Sequence, residues 1–215
     1  MKTTVSMLDL AELELHPGQE FDEFYRLTER DVTAMLVSAG ALEHAQCPGC
    51  GQDDARPAFA KLGFEYGECR RCGTVYASPR PDEAAVTEYY RKSDAAAWWR
   101  EHVATATEPA RREKVARPLA RWVLDSVIEY GLSRPATVLD LSPHPRLLAE
   151  ELFAAGNGVD RTVASHPLAE LDFHTAAPPP GLDLRSASAS ELGGLGPVDV
   201  VTAFDVLDRT ADVAA

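Results

Sequence analysis

The four cysteines of this chain fall in two short knuckles, Cys47-Pro48-Gly49-Cys50-Gly51 and Cys69-Arg70-Arg71-Cys72-Gly73. Two C-x-x-C pairs with 18 residues between them can place four thiolates tetrahedrally around one zinc ion. The glycine after each pair permits the tight turn that aims backbone amides at sulfur. Between the knuckles, "PAFAKLGFEYGEC" (residues 57–69) reads as a hairpin. Four thiolates leave no coordination position for water or substrate, so the expected ion is structural Zn2+ held by Cys47, Cys50, Cys69 and Cys72. Two redox-active pairs, or an iron–sulfur site, use the same residues and remain as alternatives. His44, three residues before Cys47, is expected to be an exposed loop histidine rather than a ligand.

The balance of charge narrows the partners. With 21 basic and 34 acidic residues the formal charge is 21 − 34 = −13, which argues against non-specific binding to nucleic acid or anionic membrane. The hairpin region does carry Arg56, Lys61, Arg70, Arg71 and Arg80 with Phe59, Phe64, Tyr66 and Tyr76, a composition compatible with a contact surface but not specific to one. A basic run at 111–121 reads as a solvated helix face. No stretch approaches the roughly 20 apolar residues of a membrane span. "MKTTVSMLDLAELEL" lacks the basic start and apolar run of a secretory signal. A cytoplasmic protein is expected, in which cysteine pairs more often bind metal than form disulfides.

Four regions follow along the chain. An N-terminal helical arm covers 1–46, with Phe21, Phe24, Leu27, Val32, Met35 and Leu36 at helical spacing between Pro17-Gly18 and Gly40. A zinc ribbon covers 47–81. A helical linker or cap covers 82–133, with Pro109 and Pro118 as expected breaks or starts and Tyr89-Tyr90 and Trp98-Trp99 cementing it to a sheet. From 134 to 215 strands and helices alternate: "ATVLDL", helix "RLLAEELFAAG", strand "DRTVAS", a proline-rich loop "HTAAPPPG", a polar stretch "SASASELGGLG", and strand "PVDVVTAF". That alternation predicts a parallel α/β sheet. Its first strand ends in Asp140, and the turn into the helix reads Ser142-Pro143-His144-Pro145.

A zinc ribbon running into "GTVYASPRPDEAAVTEYYRKSDAAAWW" resembles the N-terminal module of class I S-adenosylmethionine-dependent methyltransferases, including sugar and natural-product C-methyltransferases. "TVLDLSPHPR" stands where those enzymes have strand, acid and glycine-rich turn, and "VDVVTAFDVLDRTADV" resembles their fourth-strand motif. The resemblance covers about residues 45–215 and implies a Rossmann-like fold, here a truncated one, because the chain stops after that motif. It makes Asp140, Ser142, His144, His166 and Asp205 the candidate cofactor-binding residues. The glycines of the family turn correspond to Ser142, His144 and Arg146, the ribose-binding acid to Ser165 or His166, and the fourth-strand histidine to Arg209 beside Asp208. Added side chains and two prolines take volume and amide donors from the place where the cofactor would lie. The expectation is a non-catalytic accessory subunit whose exposed sheet edge is covered by a full-length methyltransferase. The alternatives are an active methyltransferase with an atypical cofactor loop, in which Asp140 and the fourth-strand residues do the binding, and a zinc-ribbon adaptor that binds nucleic acid or protein. His144, chemically able to act as a general base, is expected to be a solvated or structural loop residue.

Overall fold

Pro17 cannot continue a helix from its N-terminal side, and the first long helix starts one residue later, at Gly18, two residues ahead of the stretch that the sequence predicts. The computed structural model describes residues 11–38, 40, 42–132, 135–156, 158–173, 177–187, 192 and 195–206. In chain order the elements begin with helices α1 (Glu12–Leu15) and α2 (Gly18–Val32). Strands β1 (Leu42–Glu43), β2 (Ala55–Lys61), β3 (Phe64–Cys69), β4 (Val75–Ala77) and β5 (Arg80–Pro81) follow. Next come helices α3 (Glu83–Lys92), α4 (Asp94–Trp98), α5 (Thr105–Arg111) and α6 (Arg117–Glu129). The chain then alternates through β6 (Ala136–Asp140), α7 (Pro145–Ala154), β7 (Val159–Ser165), β8 (Leu182–Arg185) and β9 (Val200–Thr202). Two compact units result, one from the described residues up to Phe21 with Arg100–Phe204, the other from Asp22–Trp99 with the described residues from Asp205 onward.

The first unit holds a four-stranded parallel sheet in the order β8-β7-β6-β9. Ala120, Val123 and Val127 of α6 and Leu148 and Leu152 of α7 recur at helical spacing, and they pack on Ala136 and Val138 of β6. The fold is thus mixed α/β with a parallel sheet, as the alternation predicts. Two details differ. The predicted strand 197–204 is confined to Val200–Thr202, because Asp199 spends its side chain on the Thr137 amide (2.9 Å) and the Phe204 amide leaves the ladder for Ser142 Oγ (3.1 Å). Strand β8 replaces part of what reads as irregular chain. Its Asp183 is paired with Arg161 of β7 and with Arg185, a long-range arrangement that masks strand character in a four-residue run.

Pro109 is also a correction. It lies inside α5, and helical backbone continues without a break from Asp94 to Glu129, with Pro118 in the first turn of α6. π-helical turns at Trp99–Ala104 and Arg112–Ala116 flank α5. The second of them ends two residues before Pro118, and a widened turn relieves the clash between a proline ring and the carbonyl four residues back.

In the second unit, β2, β3 and β4 form an antiparallel sheet, and β1 pairs with β5. The β2–β3 turn places Leu62 and Gly63 at φ +52° and +82°, the signature of a tight hairpin turn. Buried Leu27, Val32, Leu36, Tyr89 and Ala95 make the core, with Phe24, Leu62, Phe64 and Trp98 around it. Tyr89 and Trp98 therefore pack with α2 and the β2–β3 turn, rather than cementing helix to parallel sheet as the sequence suggests. Buried Asp31 caps α4 through the Ala95 amide (2.8 Å), and Arg30 bridges Asp31 and Asp94. Among the described residues no helix is long and apolar enough to cross a membrane.

Candidate functional site

Each cysteine knuckle is closed by its own backbone. The Cys47 amide donates to Gln52 O (3.0 Å) and the Gly51 amide to Cys47 O (2.8 Å); the Cys69 amide donates to Thr74 O and the Gly73 amide to Cys69 O (both 2.9 Å). Gly51 and Gly73 adopt φ +69° and +76°, which a side chain would strain. The two turns bring the four sulfurs within 4.8 Å of one another, with Cys47–Cys72 at 3.5 Å and Cys50–Cys69 at 3.6 Å. Disulfide sulfurs sit about 2.05 Å apart, so these are free thiols. A zinc–sulfur bond of about 2.3 Å gives a tetrahedral edge of about 3.8 Å, within the observed range. Such a cluster could hold a metal ion.

The electrostatics agree with that donor set. Hydrogen bonds from the Thr74 side chain, then from its amide, hold the Cys72 thiol down at about 6. The Cys50 thiol is pushed up to about 12: the Gln52 amide pulls downward, but burial and protons shared with Cys72, Cys69 and Cys47 outweigh it. Four thiols so close cannot all ionise unless a cation lies between them. Thr74 Oγ1 sits 3.2 Å from Cys72 Sγ, and a Cβ on Gly49 would approach that hydroxyl to 2.6 Å. Gly49→Ala is expected to displace Thr74 and weaken metal binding about tenfold, the scale for losing one outer-shell hydrogen bond. Competition against a chromophoric chelator measures it.

The second candidate is the corner after β6. Asp140 is fully buried. Its Oδ1 accepts from the Ser142 amide (3.1 Å), Ser142 Oγ (2.6 Å) and Thr202 Oγ1 (2.9 Å), while Oδ2 has no partner. Burial, with the nearby Asp172 charge adding to it, pushes the Asp140 carboxyl above its usual range. Ser142 Oγ in turn accepts from the Phe204 amide (3.1 Å). His144 precedes α7 without capping it; the cap comes from Asp172, whose Oδ2 accepts from the Arg146 amide (2.8 Å) and whose Oδ1 lies 3.7 Å from His144 Nδ1. The Arg146 guanidinium is held by Glu108 and Glu150.

No family model matches this chain, and no curated protein does.

Asp140 and Ser142 thus come together at the ends of β6 and β9, with His144 beside Asp172 at the start of α7. Ser165 ends β7 with its hydroxyl on Ala187 O (2.9 Å), in the segment after β8, and the His166 ring accepts from the Leu168 amide (3.2 Å) of its own loop. Asp205 is exposed, at φ +54°. Asp208 and Arg209 lie outside the described residues. His44 turns to Asp53 and Ser78 rather than to sulfur. Asp172, Thr202 and Thr74 are the contributors that sequence reading misses. Only Thr74, next to Gly73 in the second knuckle, carries a local signal.

Proposed function

We propose that this chain is a methyltransferase-like zinc protein serving as a non-catalytic accessory subunit, one that stabilises or completes an active S-adenosylmethionine-dependent methyltransferase in small-molecule biosynthesis. The observation that carries this reading is the corner after β6, which the chain fills with its own groups. The strand order β8-β7-β6-β9 matches the first four strands of a Rossmann-like sheet, in which ligands lie where the order reverses, at the carboxyl ends of β6 and β9. At that point Thr202, Asp140, Ser142 and the Phe204 amide are bonded to one another. The first turn of α7, where an anionic ligand group would find free amides, already has the Asp172 carboxylate on the Arg146 amide, and Pro145 offers no donor. S-adenosylmethionine does not fit these residues.

The sulfur cluster is read as a structural zinc site, because four thiolates fill the coordination shell. A protein partner accounts for the sheet edge. Among the described residues β9 pairs with β6 alone, and Val201 is 56% exposed beside Trp122, itself 60% exposed. A groove of about 270 Å³ runs between them, lined also by Val123, Ser126 and Phe204. Parallel strands are ordinarily covered, and an open apolar edge invites pairing. The nucleic-acid reading loses support from the ribbon itself, where Arg56 is paired with Glu68 and Arg70 with Asp54.

One observation favours the alternative of an active enzyme: Asp140 Oδ2 is buried without a partner, as an acid awaiting a ligand would be. Titration calorimetry with S-adenosylmethionine and S-adenosylhomocysteine separates the two. No binding heat is expected up to hundreds of micromolar ligand, and a Kd in the micromolar range would replace the accessory-subunit reading with the enzymatic one.

A further inference from the structure

Beside the sulfur cluster, three polar side chains distant in sequence are strung together. His44 Nε2 lies 2.8 Å from Asp53 Oδ1, and His44 Nδ1 lies 3.3 Å from Ser78 Oγ. An ionised carboxylate only accepts, so Nε2 carries the imidazole proton and Nδ1 presents its lone pair to the serine hydroxyl. Ser78 Oγ also accepts from the Ala45 amide (3.1 Å). Carboxylate, imidazole and hydroxyl in that order form the relay in which imidazole removes the serine proton as oxygen attacks. Neighbouring structure fixes each member. His44 and Ala45 lead into Cys47, Asp53 follows the Gln52 carbonyl that closes the first knuckle, and the Ser78 amide is tied to Glu65 O (3.1 Å). The first knuckle, which lies between His44 and Asp53, therefore also sets the spacing of the relay.

We propose that Ser78 is a nucleophile, held by His44 and Asp53, that accepts an acyl group from an activated ester. Oγ forms a bond to the ester carbonyl carbon while its proton passes to His44 Nδ1. The bond from that carbon to the leaving oxygen breaks, and the leaving alcohol takes the proton from Nδ1. Asp53 keeps the Nε2 proton in place throughout, so atoms and charge balance without a redox partner. The Ala45 N–H, directed at one lone pair of Oγ, fixes the hydroxyl with its proton toward Nδ1 and its other lone pair free to attack. The side chains of His44 and Asp53 are 66% and 55% exposed, so the relay works in open water. That exposure admits bulky acyl donors, but it limits the reaction to acylation without fast turnover.

The test uses the full zinc-loaded chain with p-nitrophenyl acetate, following nitrophenolate release and locating the acetyl group by peptide mass spectrometry. Acetylation at Ser78 is expected, absent in Ser78→Ala and slowed at least about tenfold in His44→Gln, below the roughly hundredfold or greater contribution of general bases in sealed sites. Asp53→Asn slows it less, and it supplies the same comparison if His44→Gln proves short of zinc, which is assayed in every variant. Acetyl groups confined to lysine or cysteine, or a Ser78 rate equal in wild type and in zinc-loaded His44 and Asp53 variants, would reduce the three residues to a structural clasp and overturn the proposal.

Discussion

Chelation of the metal is expected to unfold the β2–β3–β4 ribbon while the parallel sheet keeps its protected amides. The ribbon has little core of its own. Strand β2 is exposed along its whole length, and the buried cluster of this region is Cys47, Cys69 and Tyr76, with Cys50 beside it. The sulfurs are therefore its interior, and without a cation they are four polarisable groups in proton-sharing conflict. Structural zinc in small finger domains contributes about 10–16 kcal/mol of apparent binding free energy at neutral pH, comparable with the roughly 5–15 kcal/mol stability of an entire domain. Cys69→Ser, at a position only 1% exposed, should reproduce the effect by removing one ligand and leaving three. Metal analysis should find a single zinc ion per chain, lost in Cys69→Ser. Hydrogen exchange should show the Cys69 and Gly73 amides losing protection on chelation, because their acceptors, Thr74 O and Cys69 O, lie in the turn that carries Cys69 and Cys72. A ribbon that keeps those amides protected in strong chelator would show that the cysteines pack as ordinary small side chains.

What was legible in the sequence follows the distance over which each feature is determined. The knuckles are read correctly because a C-x-x-C-G turn is complete within six residues, its glycines at positive φ and its amides closing on the same turn. The β6–α7–β7 succession is equally local, since Val138, Leu148, Leu152 and Val163 declare their periods within one element each. Strand β8 is illegible because it is held by its ladder to β7, with Leu182 opposite Thr162 20 residues earlier, and its own four residues do not specify that partner. The corner after β6 is half legible. Ser142, Pro143, His144 and Pro145 announce that side chains stand where a bare backbone would be needed. The group that closes the turn, Asp172, is 26 residues from the amide it caps, and Thr202 is 62 residues from Asp140. Nothing within either short segment specifies such a partner. The same is true of Ser78 and His44, which are 34 residues apart and joined only because the ribbon folds.

Asp140 yields the second large effect, and its two substitutions should differ in sign. Oδ1 collects three donors, so Asp140→Ala leaves the Ser142 amide without a partner and the hydroxyls of Ser142 and Thr202 with poorer ones. Buried donors left unpaired cost about 1–3 kcal/mol each, which places Asp140→Ala roughly 2–4 kcal/mol below wild type by denaturant titration. Asp140→Asn keeps an acceptor at Oδ1 and removes the charge. Burial raises the folded-state pKa of Asp140 above its unfolded value of about 3.9. As pH rises past that value the unfolded chain ionises first and binds fewer protons than the native state, so this group lowers stability progressively until the native carboxyl ionises too. The penalty is absent in acid and present at neutrality. Stability of Asp140→Asn relative to wild type should therefore climb between about pH 4 and pH 7. A difference that stayed flat across that interval would mean that the carboxyl ionises as easily in the fold as in the open chain, and that the corner is wetter than its hydrogen bonds imply.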